Sequence, residues 1–345
     1  MRHTATKFWA CWCLFGILSP LGLFAGEIDP DRLAALKARA IGPAAMSGRI
    51  TSIDVWSGNT DHIVVGAATG GVWRSENAGL TWTPIFDDQP VHAVGAVKIH
   101  PDHTDVIWVG TGEGNPRNSA SVGNGIYKTL DGGRTWQHLG LERSERIHRI
   151  LIDPKDPDTV YVAAMGRLWG ENRERGVFKT TDGGKTWSHV LAVDERTGCA
   201  DLVMDPRNPK KMIAAMWDYR RWPWFFRSGG PGSGLFMTYD GGENWKRLES
   251  GLPKGDLGRI GLAIAPSDPD VVYALVEAKE ENALYRSDDG GESWRRVGAG
   301  ENVGNRPFYY ADLRVDPQNP DRVYSLWSLV SVSDDGGKNF RILVN

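Results

Sequence analysis

The sequence predicts an all-β chain, a β-propeller of six four-stranded blades, and three observations predict it. A line that closes in a tight turn and an aromatic residue is written six times: GVWRSENAGLTW (Gly71–Trp82), GIYKTLDGGRTW (Gly125–Trp136), GVFKTTDGGKTW (Gly176–Trp187), GLFMTYDGGENW (Gly234–Trp245), ALYRSDDGGESW (Ala283–Trp294) and VSVSDDGGKNF, ending at Phe340. A second line alternates with it, clearest as IDPKDPDTVYVAA (Ile152–Ala164), MDPRNPKKMIAAM (Met204–Met216), IAPSDPDVVYALV (Ile264–Val276) and VDPQNPDRVYSLW (Val315–Trp327). Looser copies are IDVWSGNTDHIVVG (Ile53–Gly66) and IHPDHTDVIWVG (Ile99–Gly110). Third, 42 glycines and 15 tryptophans among 345 residues, with few helix-like stretches, suit a turn-rich β protein.

In chain order, Arg2 and Lys7 precede an apolar run from Phe8 to Ala25 broken by Pro20, which reads as a secretory signal over residues 1–26. An uncleaved anchor is the alternative, because the run approaches a short membrane span. Residues 27–47 form a linker with a helix-compatible stretch from Asp29 to Ala40, and the propeller occupies 48–345. Export implies a secreted or periplasmic protein with no membrane attachment after cleavage.

Each unit joins the two lines into four strands. The DPxxP line is strand, turn, strand: Pro sets φ, Asp and Asn bond back to the backbone, and the β-branched run that follows favours extended chain. In the third unit the strands are Arg146–Ile152, Thr159–Ala164, Gly176–Thr180 and Trp187–Ala192. The turn residues Asn77, Asp131, Asp182, Asp240, Asp289 and Asp335 recur every 46–58 residues, the spacing of propeller blades. Second strands such as Val160–Ala164 are apolar at every position, as expected when both sheet faces are covered.

The turn acid can accept backbone N–H groups, the glycine two positions on permits a left-handed backbone, and the tryptophan packs on neighbouring strands. An amide at Asn77 accepts equally well. One carboxylate per turn falls short of the six to eight oxygens calcium takes, so these turns are read as structural and no metal or cofactor is expected. Cys11 and Cys13 lie in the signal, leaving Cys199 without a disulfide partner and read as a buried small apolar residue. A net charge of -3 gives no reason to expect nucleic acid.

The turns resemble the Asp-box of the sialidase and BNR-repeat class, Ser/Thr-x-Asp-x-Gly-x-Thr-Trp, with Asp131, Asp182, Asp240, Asp289 and Asp335 at its aspartate and Trp136, Trp187, Trp245 and Trp294 at its tryptophan. Asn77 and the Asn339-Phe340 ending depart from it. With IGPAAMSGRI, GTGEGNPRNS, SGGPGSGLF and RPFYYADLRVDP, the chain from Ile41 on is similar to bacterial secreted proteins related to the sortilin N-terminal domain. Such proteins are often labelled glycosyl hydrolases and are commonly longer. The resemblance therefore implies either a closed six-bladed propeller or an incomplete part of a larger one, lacking C-terminal blades or domains.

Antiparallel strands put the DPxxP turns and the Asp-boxes on one regular face and every irregular loop on the other. Rigid scaffolds carry function on such loops. The irregular face supplies Glu113 and Arg117; Trp169 and Glu171; Asp218 to Ser233; and Asn305 to Tyr310. Aromatic residues interleaved with arginine suit a recognition surface, so Arg117, Arg221, Trp222, Trp224, Arg227, Arg306 and Tyr310 are the expected ligand-binding set. The alternative is that these side chains plug the central channel or pack on further domains. Glycoside hydrolysis needs two carboxyl groups flanking the bond, for which Glu113, Asp201, Asp218 and Asp312 are the weak candidates. No Gly-x-Ser-x-Gly, His-Glu-x-x-His or phosphate loop is present, and His148 reads as a strand residue. The leading expectation is a non-catalytic exported propeller holding an extracellular or periplasmic peptide, protein or glycan. A glycoside hydrolase and a truncated inactive propeller are the rivals.

Overall fold

The structure is a computed structural model and describes residues 49–298, 303–304, 308–309 and 312–344. The signal and linker expected over 1–47 lie outside the described residues, as do Arg306 and Tyr310. The described chain is a six-bladed propeller of antiparallel blades, each with four strands in chain order 1-2-3-4, to which blade 4 adds a fifth paired with its second strand.

Blade 1 comprises β1 (Ile50–Val55), β2 (Ile63–Ala67), β3 (Val72–Ser75) and β4 (Thr83–Pro84); blade 2, β5 (Val94–Ile99), β6 (Ile107–Thr111), β7 (Ile126–Thr129) and β8 (Gln137–His138). Blade 3 comprises β9 (Ile147–Asp153), β10 (Asp156–Ala164), β11 (Gly176–Thr180) and β12 (Ser188–Leu191), within a few residues of the predicted boundaries. Blade 4 holds β13 (Thr197–Met204), β14 (Met212–Trp222), β15 (Phe225–Ser228), β16 (Gly234–Thr238) and β17 (Lys246–Leu248). Blade 5 is β18 (Leu257–Ile264), β19 (Val272–Ala278), β20 (Ala283–Ser287) and β21 (Arg295–Gly298); blade 6 is β22 (Asp312–Val315), β23 (Val323–Leu326), β24 (Val330–Ser333) and β25 (Arg341–Val344).

The core lies between blades, and the two-residue period of a strand explains how one apolar run serves two interfaces. In β10, Val160, Val162 and Ala164 pack back on blade 2, while Tyr161 and Ala163 pack forward on blade 4. In β19, Val272, Ala274 and Val276 face blade 4, and Tyr273 and Leu275 face blade 6. Each fully buried side chain of this size is worth about 1.5–3 kcal/mol. Polar substitution on either face of a second strand therefore breaks an interface. Cys199, buried beside Leu202 and Met212, is one more apolar contact in the blade 3–4 seam.

The Asp-box closes each blade by hydrogen bonds its residue types dictate. In blade 2, Asp131 Oδ1 accepts from the Thr129 hydroxyl at 2.8 Å and the Thr135 N–H at 2.9 Å, and Oδ2 accepts from the Thr135 hydroxyl at 2.7 Å. The Thr135 N–H, then the two threonine hydroxyls, hold the Asp131 carboxyl down at about 2. Asn77 reproduces the pattern, its Oδ1 accepting from the Thr81 N–H at 2.9 Å and its Nδ2 donating to the Thr81 hydroxyl at 2.9 Å. Gly133 has φ of +95°, and a Cβ there would meet Ile85 of the preceding blade at 2.6 Å, so only glycine fits. Two box tryptophans also reach back, Trp136 donating to the Ile85 carbonyl at 2.6 Å and Trp187 to the Leu139 carbonyl at 2.8 Å. The repeated turn is thus both a hairpin clasp and a bolt between blades.

Candidate functional site

Every first strand carries at least one charged residue, and these residues fill the central channel. Lys98 of blade 2 pairs with Asp54 of blade 1 at 2.7 Å. Arg149 of blade 3 donates through Nε to Asp201 of blade 4 at 2.8 Å and through Nη2 to Asp312 of blade 6. The Leu202 and Leu262 N–H groups, each at 2.9 Å, complete the Asp201 carboxylate. Burial alone would raise the Asp312 carboxyl, but Arg149 foremost, with Arg314 and Arg259 behind it, holds it well below the usual carboxylate range. His148 is buried and uncharged: desolvation first, then Arg149 and Arg259, push its pKa far down, and its Nε2 lies 3.0 Å from Arg259 Nη2.

The other two carboxylates proposed from sequence are also tied up. Glu113 is fully buried and gripped through both oxygens by Arg49, at 2.7 and 2.6 Å. Asp218 is buried against Arg227 at 2.9 Å and Arg196 at 3.7 Å. Asp201 and Asp312 share one guanidinium between them. The structure therefore places an arginine on each of the four candidate acids, and the only two it brings together are bridged by positive charge.

Above the channel, on the irregular face, a second layer of arginines organises the loops. Arg221 is buried and donates to the Pro116 carbonyl at 2.7 Å, the Asn118 side chain at 2.5 Å and the Tyr309 hydroxyl at 2.7 Å. Arg259 reaches Asn115 at 2.9 Å and the carbonyls of Phe308 and Tyr309 at 3.2 Å. Phe226 packs on Phe308, whose ring also meets Tyr309. These contacts join loops of blades 2, 4 and 6 across the channel mouth. Arg221, expected at a ligand surface, has every guanidinium nitrogen engaged inside the protein and positions the face instead.

The segment from Asp218 to Ser233, read from sequence as an irregular loop, is ordered differently. Strand β14 runs on to Trp222, turns at Pro223 and Trp224, and returns as β15, pairing Tyr219 with Ser228 and Trp222 with Phe225. Alternation explains the hairpin's two sides. Trp217 and Tyr219 stack inward with centroids 4.5 Å apart, and Trp217 donates to Ser228 at 3.1 Å. At the tip Trp224 is 83% exposed, and Phe225 is exposed beside it. Trp222 is half-buried, covered by the Arg220 guanidinium at 4.5 Å and the Arg227 guanidinium at 5.7 Å. The blade 3 loop is fastened alongside by the Arg221 N–H donating to the Leu168 carbonyl at 2.9 Å, which leaves the neighbouring Trp169 exposed. Arg117 is exposed on the blade 2 loop.

Trp169 and Phe225, placed on the irregular face from sequence, were not among the expected ligand-binding residues, and no role was expected of Arg149 or Arg259. A charged residue within each first strand was the available signal for these arginines. The opposite mouth, on the regular face, is a funnel lined by Val55, Ile99, Ile152, Met204 and Ile264. Among the described residues no group of three or more His, Cys, Asp or Glu could hold a metal ion.

Comparison with known proteins agrees with this architecture. The family model described as sortilin, neurotensin receptor 3 (Sortilin-Vps10) matches residues 70–203, and the BNR/Asp-box repeat model matches residues 285–296. A xyloglucanase of Paenibacillus sp is 25% identical over 323 residues, covering 80% of this chain and 29% of that protein. Among solved structures, the GH74 enzyme of Niastella koreensis superimposes with a TM-score of 0.61 at 18% identity, over 83% of this chain and 45% of that one. YCF48 from Cyanidioschyzon merolae superimposes with a TM-score of 0.55 at 14% identity, over 87% and 86% of the two chains. The chain spans less than half the length of these xyloglucanase and GH74 relatives. The chain is thus a six-bladed propeller with BNR/Asp-box repeats, similar over residues 70–203 to the Sortilin-Vps10 model and distantly similar to the xyloglucanases.

Proposed function

We propose that this protein is exported and holds a glycan chain on its irregular face without cleaving it, using Trp169, Trp224 and Phe225 as the platform and Arg117, Arg220 and Arg227 at its edge. The observation that carries the reading is the exposure of Trp224 and Phe225 at the tip of a hairpin whose base is locked into the core. Exposed aromatic faces on a rigid support lose little entropy on binding and suit the apolar face of a sugar ring. Relatives named xyloglucanases favour a polysaccharide over a peptide as the class of ligand.

The four candidate acids support binding over hydrolysis. A general acid must carry a proton near neutral pH and lie on one side of the scissile bond. Asp312 is held in the opposite sense, and Glu113, Asp201 and Asp218 are each enclosed with an arginine. The test is affinity electrophoresis through gels containing xyloglucan or other β-glucans. Retardation of the native protein, lost on Trp224→Ala with Phe225→Ala, is expected. Migration that no polysaccharide retards would discard the reading. Release of reducing ends, abolished by Asp201→Asn in a protein of unchanged melting temperature, would establish hydrolysis in its place.

A further inference from the structure

The interface between successive blades is built the same way throughout, and among the described residues its two halves are both left uncovered where blade 6 would follow on to blade 1. First strands superimpose by register: Ile50, Ile53 and Val55 pair with Ala67, Val65 and Ile63, just as Val94, Val97 and Ile99 pair with Thr111, Val109 and Ile107. In blade 2 these three side chains are 0, 5 and 4% exposed because blade 1 covers them; in blade 1 they are 54, 59 and 43% exposed. The Asp-box tryptophan repeats the contrast. Trp136 and Trp187 are bonded to the preceding blade, whereas Trp82 is exposed.

The forward face of blade 6 is the matching half. Tyr324 stands where Trp108, Tyr161 and Tyr273 are buried under the next blade, yet Tyr324 is only half-buried. Leu326 and Leu343 are exposed beside it. Among the described residues no hydrogen bond or ion pair joins blade 6 to blade 1.

Charge completes the match. Across internal seams a cation of one blade reaches a regular-face turn of the next. Arg74 pairs with Asp105 at 2.9 Å and Arg286 with Asp321, both just before a second strand, and Lys179 donates to the Gly241 carbonyl of the Asp-box turn at 2.9 Å. Blade 4 has Met237 at that third-strand position and uses Lys211, just before its second strand, which lies against Gly290 of blade 5. Blade 6 follows blade 4, with Val332 in the third strand and Arg322 at the place of Lys211. The receiving acid on blade 1 is Asp61, in register with Asp105 and exposed.

We propose that the forward face of blade 6 docks on the blade 1 face of a second copy of this chain, with Tyr324, Leu326 and Leu343 covering Ile50, Ile53 and Val55, and Arg322 reaching Asp61. A heterologous contact of this kind closes into a ring of copies or extends, according to its rotation. The surface is separate from the aromatic hairpin, so self-association and glycan binding succeed or fail independently.

Sedimentation velocity of the purified protein across about three decades of concentration tests the proposal. The expected result is a concentration-dependent species larger than monomer. Ile53→Asp should abolish it with thermal melting unchanged, since Ile53 is already exposed in the single copy. Asp61→Arg and Arg322→Asp should each weaken it roughly tenfold, the worth of a close charge pair of about 1.4 kcal/mol. An equimolar mixture of those two variants should associate again, because both seams then carry opposite charges. A protein that stays monomeric at every concentration, or whose association is indifferent to Ile53→Asp, overturns the proposal.

Discussion

Replacing Arg149 by methionine keeps the length and apolar stem of the side chain and removes the charge that ties blade 3 to blades 4 and 6. The structure sets the size of the effect. Asp201 is almost fully buried, its oxygens fixed by Arg149 and by the Leu202 and Leu262 N–H groups, and Asp312 faces the same guanidinium. Removing one partner of a buried pair strands the other charge and costs about 3–5 kcal/mol. For a chain of this length that corresponds to a fall in melting temperature of about 4–7 °C.

The pH dependence gives a sharper signature than the magnitude. In the native protein the Asp312 carboxyl is depressed, so its stabilisation is present above the unfolded carboxylate value and lost only in strong acid, as pH falls through the folded value. Without Arg149 the balance passes to burial, which raises a carboxyl. A raised group stabilises below its unfolded value and loses that contribution as pH rises. The Arg149→Met penalty should therefore be larger at pH 8 than at pH 4.5, read by urea denaturation at both. Adding Asp201→Asn and Asp312→Asn should recover much of the loss at pH 8. A penalty below about 1 kcal/mol, ordinary for an exposed pair, or an equal penalty at both pH values would refute the idea that this arginine is the channel's structural hub.

Three further outcomes follow from the same geometry. Asp131→Asn should leave melting nearly unchanged, because Asn77 already makes the equivalent bonds, whereas Asp131→Ala should lower it; equal melting of the two variants would remove the clasp from the account. Asp131, Asp289 and Asp335 are each held at about 2, so their contribution is complete above the unfolded carboxylate value near 4 and lost as pH falls toward 2. Hydrogen exchange in acid should accordingly open these turns, while the Asn77 turn does not titrate. Burial pushes the Cys199 thiol up, so a thiol reagent at pH 8 should label it at the rate of unfolding; immediate labelling of native protein would contradict its place in the blade 3–4 seam.

Much of the fold was legible because a blade repeats its instructions. Two apolar strands around DPxxP, then a strand running into an Asp-box, name four strands in order, and six copies name six blades. The face assignment follows from antiparallel pairing alone. What the pattern could not give is where side chains meet across the channel, since Arg149 and Asp312 are 163 residues apart and belong to different repeats. The same limit hid the fate of Arg221. Next to Trp222 and Trp224 it reads as part of a binding surface, yet its partners come from loops more than 80 residues away on either side. Blade 4's hairpin escaped notice for a local reason: a Pro-Trp turn between Arg-rich and aromatic segments lacks the apolar alternation that marks the other strands.

The repeat also separates scaffold from surface. Aspartates that recur at every blade are occupied by their own turns, and acids that occur once in the channel are occupied by arginines. Exposed aromatic side chains that occur once, on the blade 4 hairpin and the blade 3 loop fastened to it, are what the irregular face offers a ligand. A substitution at the tip should therefore act on binding and not on folding, within about 0.5 kcal/mol in stability.

Titration of immobilised xyloglucan with native protein and with the Trp224→Ala, Phe225→Ala variant, alongside thermal melting of both, tests that claim most directly. Saturable binding by the native protein, lost in the variant at an unchanged melting temperature, is the predicted result. Binding that survives loss of both rings, or a variant that loses binding only because it unfolds, would contradict it.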